Sequence, residues 1–80
     1  MSIEEEQPTA LIYVRLLDEG VSVMRPTLGV IVGNGIYRVL PTENYDPEDE
    51  KWEFPPGSLV ACGWENTEDG AKVLVAQTKA

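Results

Sequence analysis

The residues of this chain that could do chemistry are concentrated in one stretch. Between Glu43 and Glu53, six carboxylates (Glu43, Asp46, Glu48, Asp49, Glu50 and Glu53) share eleven residues with a single lysine, Lys51. Tyr45, Trp52 and Phe54 are threaded through the same segment. A solvated loop needs the charges but not the aromatics, and a buried strand needs the aromatics but not the charges. Together they imply an acidic surface anchored on a small core. Carboxylates at this density could form an acid–base pair, hold a cation, or dock on a basic surface. A glycosidase-type pair needs two carboxyls about 5–10 Å apart across a substrate cleft, and a chain of 80 residues offers little cleft. Calcium takes about six to eight oxygens. Asp46-Pro47-Glu48-Asp49-Glu50 has neither the spacing nor the glycine of an EF-hand loop, which leaves only weak, nonspecific cation binding. Docking on a basic surface is the chemistry that remains.

The rest of the composition narrows the classes further. There is no histidine, which removes the commonest general base, nucleophile activator and zinc ligand. The one cysteine, Cys62, lies in the apolar run Leu59-Val60-Ala61-Cys62 and reads as a small core residue. Gly29-Val30-Ile31-Val32-Gly33-Asn34-Gly35 lacks the Lys-Ser/Thr of a phosphate-binding loop and any helix after it. No catalytic residue, metal or cofactor is expected. A net charge of −8, from 14 acids against 6 bases, repels phosphate backbones and anionic lipid, so neither nucleic acid nor membrane is a direct partner. It attracts basic protein surfaces and speeds encounter with them. No apolar run approaches the roughly 20 residues of a membrane span. The start, Met1-Ser2-Ile3-Glu4-Glu5-Glu6, is acidic where a signal peptide is basic, so the expected compartment is the cytoplasm.

The elements that must position the acidic segment read as strands. Residues 1–8 are expected to form a flexible acidic arm and residues 9–80 a single small domain. Such a chain hides only about 60–65% of its unfolded surface, so its core is small. Thr9 to Leu17 alternates, with Ile12, Val14 and Leu16 inward and Tyr13 and Arg15 outward. After a tight turn at Asp18-Glu19-Gly20, Val21 to Arg25 is the second strand, with Val21 and Val23 inward. Pro26, which lacks an amide donor, ends it or marks a sheet edge. Val30–Val32 and Ile36–Leu40 form a hairpin about Gly33-Asn34-Gly35. Asp46-Pro47-Glu48-Asp49 reads as one helical turn capped by Asp46. Trp52 to Phe54 is a short strand, and Pro55-Pro56-Gly57 fits a type II turn. Leu59 to Trp64 and Lys72 to Gln77 complete the set, joined by Asn66-Thr67-Glu68-Asp69-Gly70. The three arginines, Arg15, Arg25 and Arg38, lie in strands and are expected to pair with neighbouring acids. The sharper alternative, a basic and aromatic patch with Tyr13 and Tyr37, is weakened by the opposite parity of Tyr37 and Arg38. Trp52 and Trp64 read as core or half-core residues, with an exposed interface anchor as the alternative for either.

Five or six short strands with turn signals every 8–12 residues predict an all-β fold, a small antiparallel barrel. The strand–turn–strand opening, Gly33-Asn34-Gly35, and Trp52 just before Pro-Pro-Gly resemble an SH3-like barrel. More narrowly, Val14 to Gly20 and Asp46 to Val60 are similar to a pattern in small, uncharacterised, acidic bacterial or phage proteins. That resemblance covers roughly residues 12–62 and implies a fold without an activity. The Ala-Leu-Tyr-Asp-Tyr type of motif, on which SH3 domains build a platform for proline-rich peptides, is absent.

The acidic segment therefore admits two readings. In one it is a solubilising loop. In the other it stands in for nucleic acid. Its charges fall about every 6 Å if the chain is extended and about every 3 Å in a helical turn, against about 1.7 Å of axis for duplex DNA. Interleaved aromatics would add apolar contact. The functional expectation is a non-catalytic protein-binding module, whose partner-binding residues are Glu43, Asp46, Glu48, Asp49, Glu50, Trp52 and Glu53. It would dock on a basic protein surface, such as a nucleic-acid-binding complex, as a DNA mimic and inhibitor of the anti-defence (anti-CRISPR) type carried by a phage or mobile element. The rival is an interaction domain that uses an apolar barrel face, as a monomer or homodimer.

Overall fold

The computed structural model describes residues 7–80 of the chain. Most of the expected acidic arm, residues 1–6, lies outside the described residues. Gln7 and Pro8 are exposed and lead into the first strand, where the Pro8 carbonyl accepts a hydrogen bond from the Ile31 amide at 2.9 Å. Six strands follow: β1 (Thr9–Leu17), β2 (Met24–Gly33), β3 (Ile36–Val39), β4 (Lys51–Trp52), β5 (Leu59–Asn66) and β6 (Lys72–Lys79). The fold is all-β and barrel-like. Hydrogen bonding runs in a ring, β1–β2–β3–β5–β6 and back to β1, with β4 laid on the end of β1. The pairings are antiparallel except at closure, where β1 meets β6 in parallel through Tyr13 and Val75.

The alternation of β1 sets the inside. Ile12 and Val14 are fully buried and Leu16 packs against the same cluster, together with Val39, Val60, Ala76, Trp52 and Phe54. The turn chemistry read from the sequence is realised. Gly35, Gly57 and Gly70 adopt positive φ, at 71°, 94° and 90°, where a side chain would be strained. The Ser58 amide closes the Pro55-Pro56-Gly57 turn on the Pro55 carbonyl at 3.0 Å.

Three expectations are corrected. Strand β2 runs straight through Pro26. The Leu28 carbonyl accepts from the Leu40 amide, so by alternation Pro26 turns its nitrogen to the same side. There β3, which pairs only with residues 29–33 of β2, offers no acceptor. A missing donor costs nothing at such a place. Val21 is not inward but 73% exposed. Asp18 turns the chain with φ of 64°, and residues 18–23 form a loop that rejoins β1 at the Val23 carbonyl, bonded to the Leu16 amide. Trp64 shares the inward parity of Val60 yet is 67% exposed. Beyond Ala61 the only strand partner of β5 among the described residues is β6, so the hairpin outruns the core that would cover the indole.

Two glycines sit where strands press close. A Cβ on Gly29 would lie 2.8 Å from Ile12 Cδ1 and 3.2 Å from Tyr37 Cβ, and Ile12 is fully buried. A Cβ on Gly63 would meet only the amide end of exposed Gln77. Gly29→Ala is therefore expected to lower stability by about 1–3 kcal/mol through overpacking. Gly63→Ala, whose obstacle can swing into water, is expected to cost under about 1 kcal/mol. Denaturant unfolding of both variants checks the order, and equal losses would contradict it.

Candidate functional site

The acidic segment is fastened to the barrel at two points and shaped by a turn of its own. The first is Trp52, only 4% exposed, whose strand pairs Trp52 with Leu16 and Lys51 with Leu17. Burying an indole stabilises only if its N–H finds an acceptor. Here Nε1 donates to Glu50 Oε1 at 2.9 Å. Tyr45 packs edge-on against the same ring, with centroids 4.8 Å apart. The second point is Glu50 itself. Arg25, at the start of β2, donates Nε to Oε1 at 3.2 Å and Nη2 to Oε2, a two-pronged ion pair. The Arg25 guanidinium, and then the Trp52 N–H, hold the Glu50 carboxyl below its ordinary value of 4.5. Between them the segment folds on itself. Asp46 Oδ1 accepts from the Glu48 amide at 2.9 Å, and the Asp46 carbonyl accepts from the Asp49 and Glu50 amides at 3.0 Å. This is the capped turn that the sequence implies.

The seven residues expected to touch a partner therefore divide. Glu43, Asp46, Glu48, Asp49 and Glu53 are exposed. Glu50 is half-buried and engaged with Arg25. Trp52 lies inside, as do Phe54 and, in part, Tyr45, so the aromatics hold the segment rather than add apolar contact to its outer surface. Asp46 is committed to its own turn as well as exposed.

Acidic residues outside the segment extend the surface. Because β4 runs antiparallel to the end of β1, with Leu17 opposite Lys51, Asp18 and Glu19 leave the barrel beside the residues that precede Lys51. Both are exposed. At that end a groove of about 510 Å³ runs between Ser22 and Met24 on one side and Glu65, Glu68 and Asp69 of the β5–β6 hairpin on the other. Sequence reasoning missed this gathering. Its only signal was that both turns are acidic, and the pairing of β1 with β4 that brings Asp18 to the segment is not written locally.

Three further charged residues, Arg15, Glu65 and Asp69, are engaged within the structure. Arg15 Nη2 donates to Glu65 Oε1 at 2.6 Å and Gln77 Nε2 to Glu65 Oε2 at 3.1 Å. Arg15, and then Gln77, hold the Glu65 carboxyl below its ordinary value. The pair spans β6, the strand between β1 and β5. Asp69 accepts from the Thr67 hydroxyl, the main cause of its lowered pKa. Cys62 packs against the core, and burial pushes its thiol up to about 11, which makes it a poor nucleophile. Among the described residues no three acidic or cysteine side chains converge as a metal site. No family model matches this chain, and no curated protein or solved structure matches it.

The Glu50 clasp has a testable pH signature. Its folded pKa is depressed, so its contribution is present above the ordinary value of 4.5 and is lost as pH falls through the lower folded value. Glu50→Gln is expected to destabilise the protein by about 0.5–1 kcal/mol at pH 7, a small figure because Arg25 is partly solvated. The gap between wild type and variant should hold down to about pH 5 and then close. Urea unfolding at a series of pH values checks this. A gap that stays constant down to pH 2 would show that the ion pair is not its source.

Proposed function

We propose that this protein is a non-catalytic binding module whose acidic face docks on a basic protein surface. In this reading the partner is a nucleic-acid-binding complex, and the module inhibits it by occupying the groove that phosphates would fill. The observation that carries the proposal is the clasp: five exposed carboxylates ride on a segment fixed to the core by Trp52 and by Glu50 with Arg25. A solubilising loop gains nothing from being fixed. A docking surface does, because charges held in place beforehand lose less conformational entropy on binding. The flanking Asp18 and Glu19 enlarge the same face. With no histidine in the chain, the reading needs neither catalysis nor a cofactor. The narrower class, an anti-defence inhibitor of phage or mobile-element origin, rests on the identity of the partner.

The test uses the carboxylates that carry no structural bond. Glu43, Glu48, Asp49 and Glu53 are changed together to lysine, while Asp46 and Glu50 are left to hold the turn and the clasp. The wild-type protein, immobilised and exposed to host lysate at low salt, should retain a basic nucleic-acid-binding complex. Rising salt should release it, because charge attraction between exposed groups is screened within a Debye length of about 10 Å at 0.1 M. Nucleic acid should compete with it. The quadruple variant should lose at least about a hundredfold in affinity, at roughly 0.7 kcal/mol or more for each reversed charge. Affinity within a factor of three of wild type would defeat the proposal.

A further inference from the structure

The turn Gly33-Asn34-Gly35, which joins β2 to β3, takes no part in the acidic surface. It does contain a chemically labile pair. The side-chain amide of an asparagine is open to attack at Cγ by the backbone nitrogen of the next residue, and asparagine is a heat-labile residue for that reason. The attack is least hindered when the next residue is glycine, which has no Cβ and the widest backbone freedom. The chain has three asparagines, Asn34, Asn44 and Asn66, and only Asn34 precedes a glycine.

All three are exposed, so access to water does not separate them. The following nitrogen does. The Tyr45 amide donates to the Thr42 carbonyl at 3.1 Å, and the Thr67 amide donates to the Ala71 carbonyl at 2.8 Å. Both nitrogens are engaged, and both belong to residues with bulky side chains. Among the described residues the Gly35 nitrogen has no such acceptor. Nothing lies within 4 Å of where a Gly35 Cβ would stand, which leaves room for a ring to form. The other acidic or amide residue before a positive-φ glycine is Asp69, and it is protected. The Gly70 amide donates to the Thr67 carbonyl at 3.0 Å. The Asp69 carboxyl accepts from the Thr67 hydroxyl, which keeps it ionised and a poor electrophile.

We propose that Asn34 is a site of spontaneous deamidation, with isoaspartate among its products. The Gly35 nitrogen gives up its proton and bonds to Asn34 Cγ. The bond from Cγ to Nδ2 breaks, and Nδ2 leaves as ammonia with that proton. Water then opens the five-membered imide. Cleavage between the Gly35 nitrogen and Cγ leaves an aspartyl residue, and cleavage between that nitrogen and the main-chain carbonyl carbon leaves an isoaspartyl one. One water is consumed, one ammonia is released, and nothing is oxidised.

Both products add a negative charge. The isoaspartyl link also adds a carbon to the main chain of the turn, whose Gly35 carbonyl accepts from the Cys62 amide of β5 at 3.0 Å. The change is remote from the acidic segment. Arg25, which holds Glu50, is about eight residues back along β2, or roughly 26 Å of strand. The inference therefore does not depend on the basic partner proposed above.

The test is to hold the full folded chain at 37 °C and pH 8 for four weeks and map its peptides by mass spectrometry, with aspartyl and isoaspartyl forms separated by chromatography. The peptide containing Asn34 should gain about 1 Da. Its rate should exceed those of Asn44 and Asn66 at least about tenfold, and should be slower at pH 6, because the attacking nitrogen must lose a proton. Asn34→Ser should keep the strand circular dichroism and abolish the gain in that peptide. An Asn34 that reacts no faster than Asn44 or Asn66 would overturn the proposal. So would a rate that rises more than about a hundredfold in 8 M urea, since the hairpin would then be shielding the pair.

Discussion

The acidic surface of this protein depends on one buried indole. Trp52 is part of a strand only two residues long, too short to hold itself by backbone bonding. It stays in place because its ring is in the core and its N–H is matched by Glu50, which is itself held by Arg25. Replacing such a residue with alanine typically costs about 3–5 kcal/mol, a large part of the roughly 5–15 kcal/mol that keeps a small domain folded. The segment therefore cannot lift off while the barrel stays intact. The backbone that carries its carboxylates belongs to the fold, while the exposed carboxylates themselves stand out from it into water.

The same arrangement explains which parts of the structure were legible in the sequence. Strand β1 was readable to the residue because Ile12, Val14 and Leu16 recur at every second position and Arg15 between them fixes which parity faces water. The turns were readable because Gly35, Gly57, Gly70 and Asp46 each solve a local backbone problem. Pro26 misled because its effect depends on which neighbour it faces, and that is decided by where β3 stops. Trp64 misled because alternation gives a side and not a depth. The hairpin that carries it extends past the core. The charged site divides in the same way. Its density was visible in eleven residues, but the loss of Glu50 to Arg25, 25 positions away, and the arrival of Asp18 beside the segment are tertiary facts.

Counting charges overstates what is available for binding. Two of the three arginines are each joined to one glutamate, and both pairs hold strands together: Arg25 with Glu50 ties β2 to the acidic segment, and Arg15 with Glu65 bridges across β6. Arg38, Lys51, Lys72 and Lys79 are exposed and carry no ion pair among the described residues. Two of the six positive charges are thus engaged in holding the structure, and the acids they engage, Glu65 and Glu50, are the ones a basic partner would find least available.

That residue of charge decides what the acidic face can do alone. Tyr45, Trp52 and Phe54 are drawn inward, so the outward side of the segment offers carboxylates without apolar anchors. Complementary charge of this kind raises association rates and sets orientation more than it raises affinity, and hot spots are usually buried aromatics or arginines. A single acidic face would bind quickly and release quickly.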